Sequence, residues 1–354
     1  TKFKIKPNVY LIVSDMFAGS EYMSLIYNKY DDHMNKFLIS KNFTIKKNHL
    51  SNYPNTALSI PSVLNGSYLL DDYFFKKKKY KFDDNSILKI NNVDTIFKNN
   101  GYNSKYIICN VDTSDIKKFK KFCDEKQNLS FVTGLGVNFI EAIMYHTFLK
   151  TYFSGYLDKK KYKNRRYLDN YEDIIKVTNV EKEFKYIHLY FPHPPYVFNE
   201  DCSFRNLRSD KIVVNNSLLS EDERLDGFKN NFECSSKIII KIINEINTKD
   251  KNAFFIFISD HGPHLLNTKN VEFSYKDILD MHSTNLSIKF GDNNCKSVYD
   301  IKDLSHVNLF RIVFNCIGEN KNLYLKNYIY YKDVNYSRYP LRKLSVKNIN
   351  ELKN

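Results

Sequence analysis

Three strand-length segments of the chain are almost entirely apolar, and this feature limits the folds that the chain can adopt. They are NVYLIVSD (8–15), KYIHLYF (185–191) and AFFIFISD (253–260). A strand without polar alternation is covered on both faces, as in a parallel or mixed sheet. Segments with helical periodicity separate these strands, and such alternation is typical of an α/β domain. The sequence therefore predicts a doubly wound, mixed but mostly parallel sheet that is sandwiched by helices.

Further segments complete this α/β pattern. We predict helices over residues 20–38, 56–65, 220–246 and 305–318, and further strands over residues 43–50 and 285–290. The long helix at 220–246 begins with a Ser that can cap it, followed by acidic residues in its first turn. No repeat or linker is visible, so we expect one domain, with a core over residues 1–294 and a C-terminal portion, residues 295–354, packed on it.

The chain carries a surplus of 14 basic residues, because its 354 residues include 54 Lys and Arg against 40 Asp and Glu. A surplus of this size favours an anionic partner such as a nucleic acid, an acidic glycan or an anionic membrane surface. The densest basic runs, residues 76–82 and 157–167, match no nucleic-acid motif. We therefore interpret them as solvated faces that are able to rest on lipid headgroups, and we expect no nucleic-acid partner.

The longest apolar stretch, residues 136–157, is interrupted by Glu141, His146 and Lys150. It falls short of the roughly 20 consecutive apolar residues that span a bilayer. We predict an amphipathic helix that packs on the core or lies against a membrane surface. The sequence begins without Met and without a secretory signal, so we expect a domain excised from a longer chain.

The chain contains six cysteines, and none of them forms a C-x-x-C pair. A zinc ribbon or a thioredoxin-type site is therefore not expected. An even number of cysteines permits disulfides in an oxidising compartment. Buried free thiols fit the same count, and the spacing does not distinguish these two interpretations.

Residue types that bind metal ions occur at the ends of the predicted strands. They are Asp15 after the first strand, His193 after the middle one, Asp260 and His261 after the late one, and His282 before the strand at 285–290. Ligands of open α/β sheets bind beyond the carboxyl ends of the strands, and carboxylates with imidazole suit Zn²⁺ or Mn²⁺. Each residue alone is weak evidence, because an Asp at a strand end usually forms a turn and a lone His is usually structural. We assign four further histidines to that structural class: His33, His49, His146 and His306.

The stretch SNYPNTALSIPSVLNG (51–66) predicts a turn that opens a helix, with Thr56 at the junction. A hydroxyl that binds a divalent ion loses its proton more easily and becomes a nucleophile at neutral pH. The N-terminus of the helix would also favour a bound anion. The alternative interpretation, in which Thr56 is a plain helix N-cap, fits the same pattern.

Taken in order, these motifs resemble those of the alkaline phosphatase superfamily, in its sulfatase-like branch, which includes lipoteichoic acid synthases and lipid A phosphoethanolamine transferases. The resemblance extends from PNVYLIVSD to about VNLFRIVFN, and SDHG is its most diagnostic motif. It implies that four residues bind a divalent ion, Zn or Mn: Asp15, Thr56, Asp260 and His261. Thr56 would be the nucleophile. HLYFPHPPYVF is similar to the family's HL-x-x-x-H-x-P-Y stretch, which implies that His193 lies near the transferred group, and His282 would contact the substrate.

The nucleophile segment differs from that of true sulfatases. Those enzymes carry Cys or Ser in C/S-x-P-x-R, whereas this chain has TALSI, with Leu58 and Ile60 at the Pro and Arg positions. The resemblance therefore implies that the formylglycine route is closed. A threonine nucleophile is what the phosphotransferase members use.

The resemblance implies a metal-dependent phosphotransferase that moves a phospho-alcohol group, similar to phosphoethanolamine or phosphoglycerol, through a phosphothreonine. The expected partners are an anionic phospholipid or glycan donor and a surface glycan or lipid acceptor. The expected location is close to a membrane on its extracytoplasmic side. Two alternatives stay open: a metal-dependent phosphodiesterase or phosphatase with water as the only acceptor, and a non-catalytic domain that binds anionic glycans and no metal.

Overall fold

The computed structural model describes the chain in segments. They are residues 1–28, 30–69, 91–108, 111–113, 175–177, 182–203, 205–207, 218–266, 274–291, 295–319, 321–331, 342–345 and 349. The basic runs 76–82 and 157–167 and the predicted amphipathic helix 136–157 lie outside the described residues.

A seven-stranded sheet forms the centre of the described part of the chain. Its strands are β1 (Val9–Ser14), β2 (Thr44–Ile45), β3 (Tyr102–Ile108), β4 (Val111–Thr113), β5 (Lys182–Leu189), β6 (Phe254–Ser259) and β7 (Leu286–Phe290). Their spatial order is β2-β7-β6-β1-β5-β3-β4. The pairs β3–β5, β5–β1 and β1–β6 are parallel, whereas β6–β7, β7–β2 and β3–β4 are antiparallel. The sheet is thus mixed and mostly parallel, which confirms the predicted fold class.

Helices flank this sheet on both faces. Those among the described residues are α1 (Ser20–Ile26), α2 (His33–Ser40), α3 (Thr56–Asn65), α4 (Asn92–Asn99), α5 (Glu221–Lys249), α6 (Tyr275–His282) and α7 (Leu309–Ile317), with short 3-10 turns at Cys295–Val298 and Ile301–Asp303. Two further strands, β8 (Tyr328–Tyr331) and β9 (Arg342–Ser345), pair antiparallel outside the central sheet.

The side chains of β1 alternate between two apolar layers, since successive residues of a strand point to opposite faces. Tyr10 and Ile12 pack into the layer that α5 covers. Leu11 and Val13 pack into the layer that α3 and α7 cover. A strand between two helical layers has no polar face, and this explains why its sequence is continuously apolar.

Residues 20–38 form two helices instead of the single predicted helix. The first helix ends at Tyr27, whose backbone is extended. The second begins after Asp32, whose carboxylate accepts a hydrogen bond from the backbone N–H of Asn35 at 3.1 Å. This contact is an N-cap, and it starts a new helix where the hydrophobic periodicity alone predicts continuation.

The predicted strand 43–50 is mostly wrong, because only Thr44–Ile45 pairs with β7. Asn48 has a positive φ of 50°, which interrupts the extended backbone. The chain returns to the sheet at Leu50 through an isolated bridge.

The predicted boundary at residue 295 is not tested by the fold and stays a prediction. Beyond it, α7 belongs to the apolar core, since Phe310 and Val313 pack in the same layer as Val63 of α3. The predicted helix 305–318 is shorter than expected, because its helical backbone begins only at Leu309.

Two disulfides occur among the described residues. One joins Cys202 to Cys234, and the other joins Cys295 to Cys316. The four cysteines involved are therefore paired and are not buried free thiols. Within the same part of the chain, no helix is both long and apolar enough to cross a membrane.

Candidate active site

The sheet brings two acidic residues together because β1 and β6 are parallel neighbours. Ser14 lies opposite Ser259 in the ladder, so Asp15 and Asp260 leave the sheet side by side at its carboxyl edge. One ligand atom from each of these carboxylates and one from His261 all lie within 4.8 Å of one another. All three side chains are buried. The structure therefore unites three of the residues that the sequence predicted as metal ligands.

The carboxylate of Asp260 is held by three hydrogen bonds. Its Oδ1 accepts from the backbone N–H groups of Met16 at 3.1 Å and His261 at 2.9 Å. Its Oδ2 accepts from the hydroxyl of Thr56 at 2.5 Å. Met16 has a positive φ of 63°, a conformation that costs energy for a residue with a Cβ. The strained backbone thus directs one N–H group at the carboxylate.

The imidazole of His261 has a defined orientation. Its Nδ1 lies 2.8 Å from the carbonyl oxygen of Gly262. A carbonyl only accepts hydrogen bonds, so Nδ1 carries the proton. The lone pair of Nε2 then faces the two carboxylates, at 3.4 Å from Asp260 Oδ2 and 3.6 Å from Asp15 Oδ1. Metal-binding histidines have this arrangement, in which the second ring nitrogen donates to a carbonyl.

Gly262 is required by the close packing behind this loop. A Cβ atom at this position would lie 2.4 Å from the carbonyl oxygen of Asp280. This distance explains the glycine of the SDHG motif, because any larger residue would displace the loop that carries His261.

Thr56 is the first residue of α3, and it is not the N-cap. Asn55 takes that role, since its backbone is extended and its side chain accepts from the N–H of Leu58 at 3.0 Å. The hydroxyl of Thr56 is therefore directed at Asp260 instead of its own helix. Thr56 is also partly exposed, whereas Asp260 is fully buried.

The two carboxylates differ in their electrostatic environment. Burial raises the pKa of Asp15 well above its usual value, and the adjacent Asp260 raises it further. Burial also acts to raise the pKa of Asp260, but His261, His188 and the hydrogen bond from Thr56 hold it below its usual value. Burial lowers the pKa of His261 to about 4, against the opposing effect of Asp260. Apposed buried carboxylates of this kind are costly unless a cation or a proton joins them.

The residues fit a divalent cation. Asp15 Oδ1 is buried and accepts no hydrogen bond from any described residue. Two carboxylates, a neutral imidazole and a hydroxyl are a donor set that suits Zn²⁺ or Mn²⁺. The unsatisfied oxygen lies 3.6 Å from Nε2 of His261, the ring nitrogen that carries the lone pair.

His193 interacts electrostatically with Asp260 of the cluster, and His282 lies in the protein interior. His193 follows β5, is half-buried, and places Nδ1 at 2.6 Å from the carbonyl oxygen of Pro194. Burial lowers its pKa, which the charge of Asp260 partly offsets. His282 ends α6, is fully buried, and places Nδ1 at 2.9 Å from the carbonyl oxygen of Ser51. The predicted roles of His193 and His282 toward the substrate stay predictions.

Three polar residues near the cluster were not among the predicted site residues. The hydroxyl of Ser59 donates to the backbone carbonyl of Asp260 at 2.5 Å, and its oxygen lies 3.2 Å from Nδ1 of His306. His264 contacts the ring of His261, with centroids 5.1 Å apart. Ser59 follows Thr56 by three residues, a helical spacing that gives a usable signal. The sequence gives no comparable signal for His306.

This fold and this site together define a class of protein: a doubly wound α/β domain with a carboxylate–imidazole cluster and a helix N-terminal hydroxyl at the carboxyl edge of its sheet. The family model described as Sulfatase matches residues 7–318. The chain therefore belongs to the sulfatase family, one of the enzyme families of the alkaline phosphatase superfamily.

Solved structures show the same fold. The C-terminal periplasmic domain of EcEptC from Escherichia coli aligns with a TM-score of 0.53 at 13% identity, over 98% of this chain and 95% of that chain. The structure of its complex with Zn aligns with a TM-score of 0.53 at 12% identity, over 96% of this chain and 94% of that chain. The soluble domain of lipooligosaccharide phosphoethanolamine transferase A from Neisseria meningitidis aligns with a TM-score of 0.50 at 12% identity, over 89% of each chain. The comparison with curated protein sequences found no match.

Proposed function

We propose that this domain is a metal-dependent phosphotransferase with Thr56 as its nucleophile. One observation carries the proposal: Thr56 is partly exposed, and its hydroxyl donates to Asp260 within the cluster that also contains Asp15 and His261. A threonine at this position excludes the formylglycine chemistry of sulfate-ester hydrolysis, which requires Cys or Ser. Phosphoryl transfer is the reaction that an alcohol nucleophile beside a cation site supports.

Asp15, Thr56, Asp260 and His261 are the residues that would hold the ion, with Zn²⁺ or Mn²⁺ as candidates. When bound, such an ion lowers the pKa of a hydroxyl and neutralises charge on a phosphoryl group. The complex with Zn of the E. coli EptC domain supports zinc as the first ion to test.

The chain's own residues account for the two half-reactions. In the first, the oxygen of Thr56 forms a bond to phosphorus, and the bond from phosphorus to one alcohol of the donor breaks. The departing alcohol takes up one proton, and the phosphate remains on Thr56 with its second alcohol group. In the second, an acceptor oxygen forms a bond to phosphorus, the bond from phosphorus to the Thr56 oxygen breaks, and Thr56 regains a proton to replace the one that the acceptor hydroxyl releases. The N-terminus of α3 favours the anionic group throughout.

His193 is the proposed proton donor to the departing alcohol. It is half-buried, and its Nδ1–H is bonded to a backbone carbonyl, so Nε2 takes up the proton that it then gives to the departing alcohol. Burial favours the neutral ring, whereas the charge of Asp260 favours the protonated ring that this role requires. His282 is the proposed further contact for the substrate.

We propose an anionic phospholipid or glycan as donor and a surface glycan or lipid as acceptor, on the extracytoplasmic side of a membrane. The net charge of +14 favours anionic partners and membrane proximity. The disulfides Cys202–Cys234 and Cys295–Cys316 are typical of an oxidising compartment. The periplasmic origin of the E. coli EptC domain is compatible with this location.

The test is the release of diacylglycerol by the zinc-loaded domain from vesicles of phosphatidylglycerol, which is anionic, and from vesicles of phosphatidylethanolamine, which is zwitterionic. We expect Thr56→Ala to abolish release and Thr56→Ser to retain part of it, because serine keeps the attacking oxygen. Thr248→Ala removes a threonine hydroxyl from the exposed surface of α5 and is the matched control. Intact-mass analysis should show the phospho-alcohol adduct on the wild type and not on Thr56→Ala. Release by Thr56→Ala at the wild-type rate would refute the assignment.

The same assay separates transfer from hydrolysis. A transferase stalls at the phosphothreonine without an acceptor and resumes when a glycan or lipid hydroxyl is added. A phosphodiesterase releases the phospho-alcohol into water at a comparable rate with or without the acceptor. A glycan-binding domain without catalysis binds no metal and releases nothing.

A further inference from the structure

Ser59 lies three residues after Thr56, so the two side chains lie on the same face of α3. The hydroxyl of Thr56 donates to Oδ2 of Asp260 at 2.5 Å. The hydroxyl of Ser59 donates to the backbone carbonyl of the same residue, also at 2.5 Å. The helix is thereby joined to Asp260 at two points, one on the carboxylate and one on the main chain. Two contacts to one residue fix the rotation of α3 relative to the end of β6.

His306 holds Ser59 from the opposite side. Its Nδ1 lies 3.2 Å from the oxygen of Ser59. A hydroxyl has a single proton, and Ser59 gives that proton to Asp260, so Ser59 accepts from the Nδ1–H group of His306, which also interacts with the backbone of Ser259. The ring of His306 is fully buried. The adjacent N–H of Val307 donates to Oδ1 of Asn52 at 3.0 Å, which anchors this loop to the turn before α3.

We propose that Ser59 and His306 are positioning residues, which hold Asp260 in the orientation that binds the cation and accepts from Thr56. The inference rests on the proposed function in that Asp260 serves as a metal ligand. Hydrogen-bonded partners of a metal ligand fix its direction, and their removal typically weakens metal affinity or activity by about 10–100-fold.

Ser62 provides a matched control one turn along the same helix. Like Ser59, it is fully buried and donates one hydrogen bond to a backbone carbonyl, here that of Ser67 at 2.7 Å. The contact of Ser62 does not involve Asp260. Ser59→Ala and Ser62→Ala each remove one hydrogen bond donated to a backbone carbonyl. Ser59→Ala also removes the acceptor of the buried His306 N–H, so we expect it to lose more thermal stability than Ser62→Ala.

The experiment is a Zn²⁺ affinity measurement by competition with a chromogenic chelator. We expect Ser59→Ala to bind zinc about 10–100-fold more weakly than the wild type, and Ser62→Ala to bind it with unchanged affinity. His306→Leu should weaken binding in the same direction as Ser59→Ala. His306→Asn should lie closer to the wild type, because the amide of Asn can donate to Ser59. The two variants of His306 test the same inference at a residue outside α3.

We also expect kcat and KM to respond differently to the loss of Ser59. With phosphatidylethanolamine vesicles and saturating zinc, Ser59→Ala should lower kcat with little change in KM, whereas Ser62→Ala should leave both unchanged. Equal zinc affinities for Ser59→Ala and Ser62→Ala would overturn the inference. A wild type that binds zinc but releases no diacylglycerol would refute the proposed function and leave the affinity comparison valid. A wild type that binds no zinc would overturn both.

Discussion

The hydroxyl of Thr56 and the carboxylate of Asp260 are 2.5 Å apart, although 204 residues separate them in the sequence. The contact joins the first residue of α3 to the residue that follows β6. It places the hydroxyl of a partly exposed residue against a buried carboxylate that also lies beside Asp15 and His261.

His193 should matter most for donors with a poor leaving group. We expect His193→Ala to lower the release of an alkyl alcohol by about 10²–10⁴-fold, the usual contribution of a general acid. Release of p-nitrophenol from a nitrophenyl phosphodiester should fall much less, because that group departs without a proton. His33→Ala, which removes a half-buried histidine paired with Glu233, is the control. Equal losses for both donors would contradict the role of His193 as proton donor.

Removal of metal should destabilise the wild type but not Asp15→Asn. The apposed carboxylates of Asp15 and Asp260 repel each other without a cation, and the substitution removes one charge. Zinc at 100 times its dissociation constant should stabilise the wild type by about 2.7 kcal/mol. Thermal unfolding with zinc and with chelator measures both effects. We expect metal-free Asp15→Asn to unfold at a higher temperature than the metal-free wild type, with little response to zinc. A full zinc response in this variant would exclude Asp15 as a ligand.

The metal-free protein should lose stability as the pH falls below about 6.5. Burial lowers the pKa of His282 to about 3 and the pKa of His188 to about 4. The unfolded chain binds protons at these residues near pH 6.5, whereas the folded chain does not, so acidification favours unfolding. At pH 5 each such histidine lowers the free energy of unfolding by roughly 2 kcal/mol.

Urea denaturation at pH 7 and pH 5, in chelator, measures this loss. His282→Gln should reduce the difference between the two pH values, whatever its effect on stability at pH 7. His33→Gln should leave the difference unchanged. A stability that does not change between pH 7 and pH 5 would contradict the neutral, buried state of these histidines.

The disulfide between Cys202 and Cys234 should contribute strongly to stability. It closes a loop with a sequence separation of 32 and ties the segment after His193 to α5. Loop-closure entropy predicts that replacing both cysteines with Ala costs roughly 3–4 kcal/mol. Denaturation of the double variant and of the wild type measures the difference. Alkylation of Cys202 in the unreduced protein would show that the bond is absent in solution.

The sequence predicts which residues the fold brings together at this cluster, because the cluster lies where continuous apolar strands end. Asp15 and Asp260 follow the two most apolar strands, and parallel neighbours bring their carboxyl ends to one edge. The SDHG motif and the turn before Thr56 complete the set. Each of these signals is local, so it can be recognised within a few residues of sequence.

Contacts between distant segments are not predictable in the same way. His306 lies 247 residues from Ser59, and only the packing of α7 brings the two together. Hydrophobic periodicity also fails to predict a helix boundary that a single N-cap sets. Asp32 is such a cap, and it divides one predicted helix into two. Tertiary structure sets the role of His306, and a local hydrogen bond sets the boundary at Asp32.

The most direct test of the central claim is the metal content of the purified domain by elemental analysis, for the wild type, Asp260→Asn and the control Asp277→Asn. Asp277 is a buried carboxylate that takes part in the capping box of α6, outside the cluster. We predict about one Zn or Mn ion per chain in the wild type and in Asp277→Asn, and none in Asp260→Asn. A wild type that stays free of metal after incubation with Zn²⁺ and Mn²⁺ would contradict the metal centre and favour an anion-binding domain.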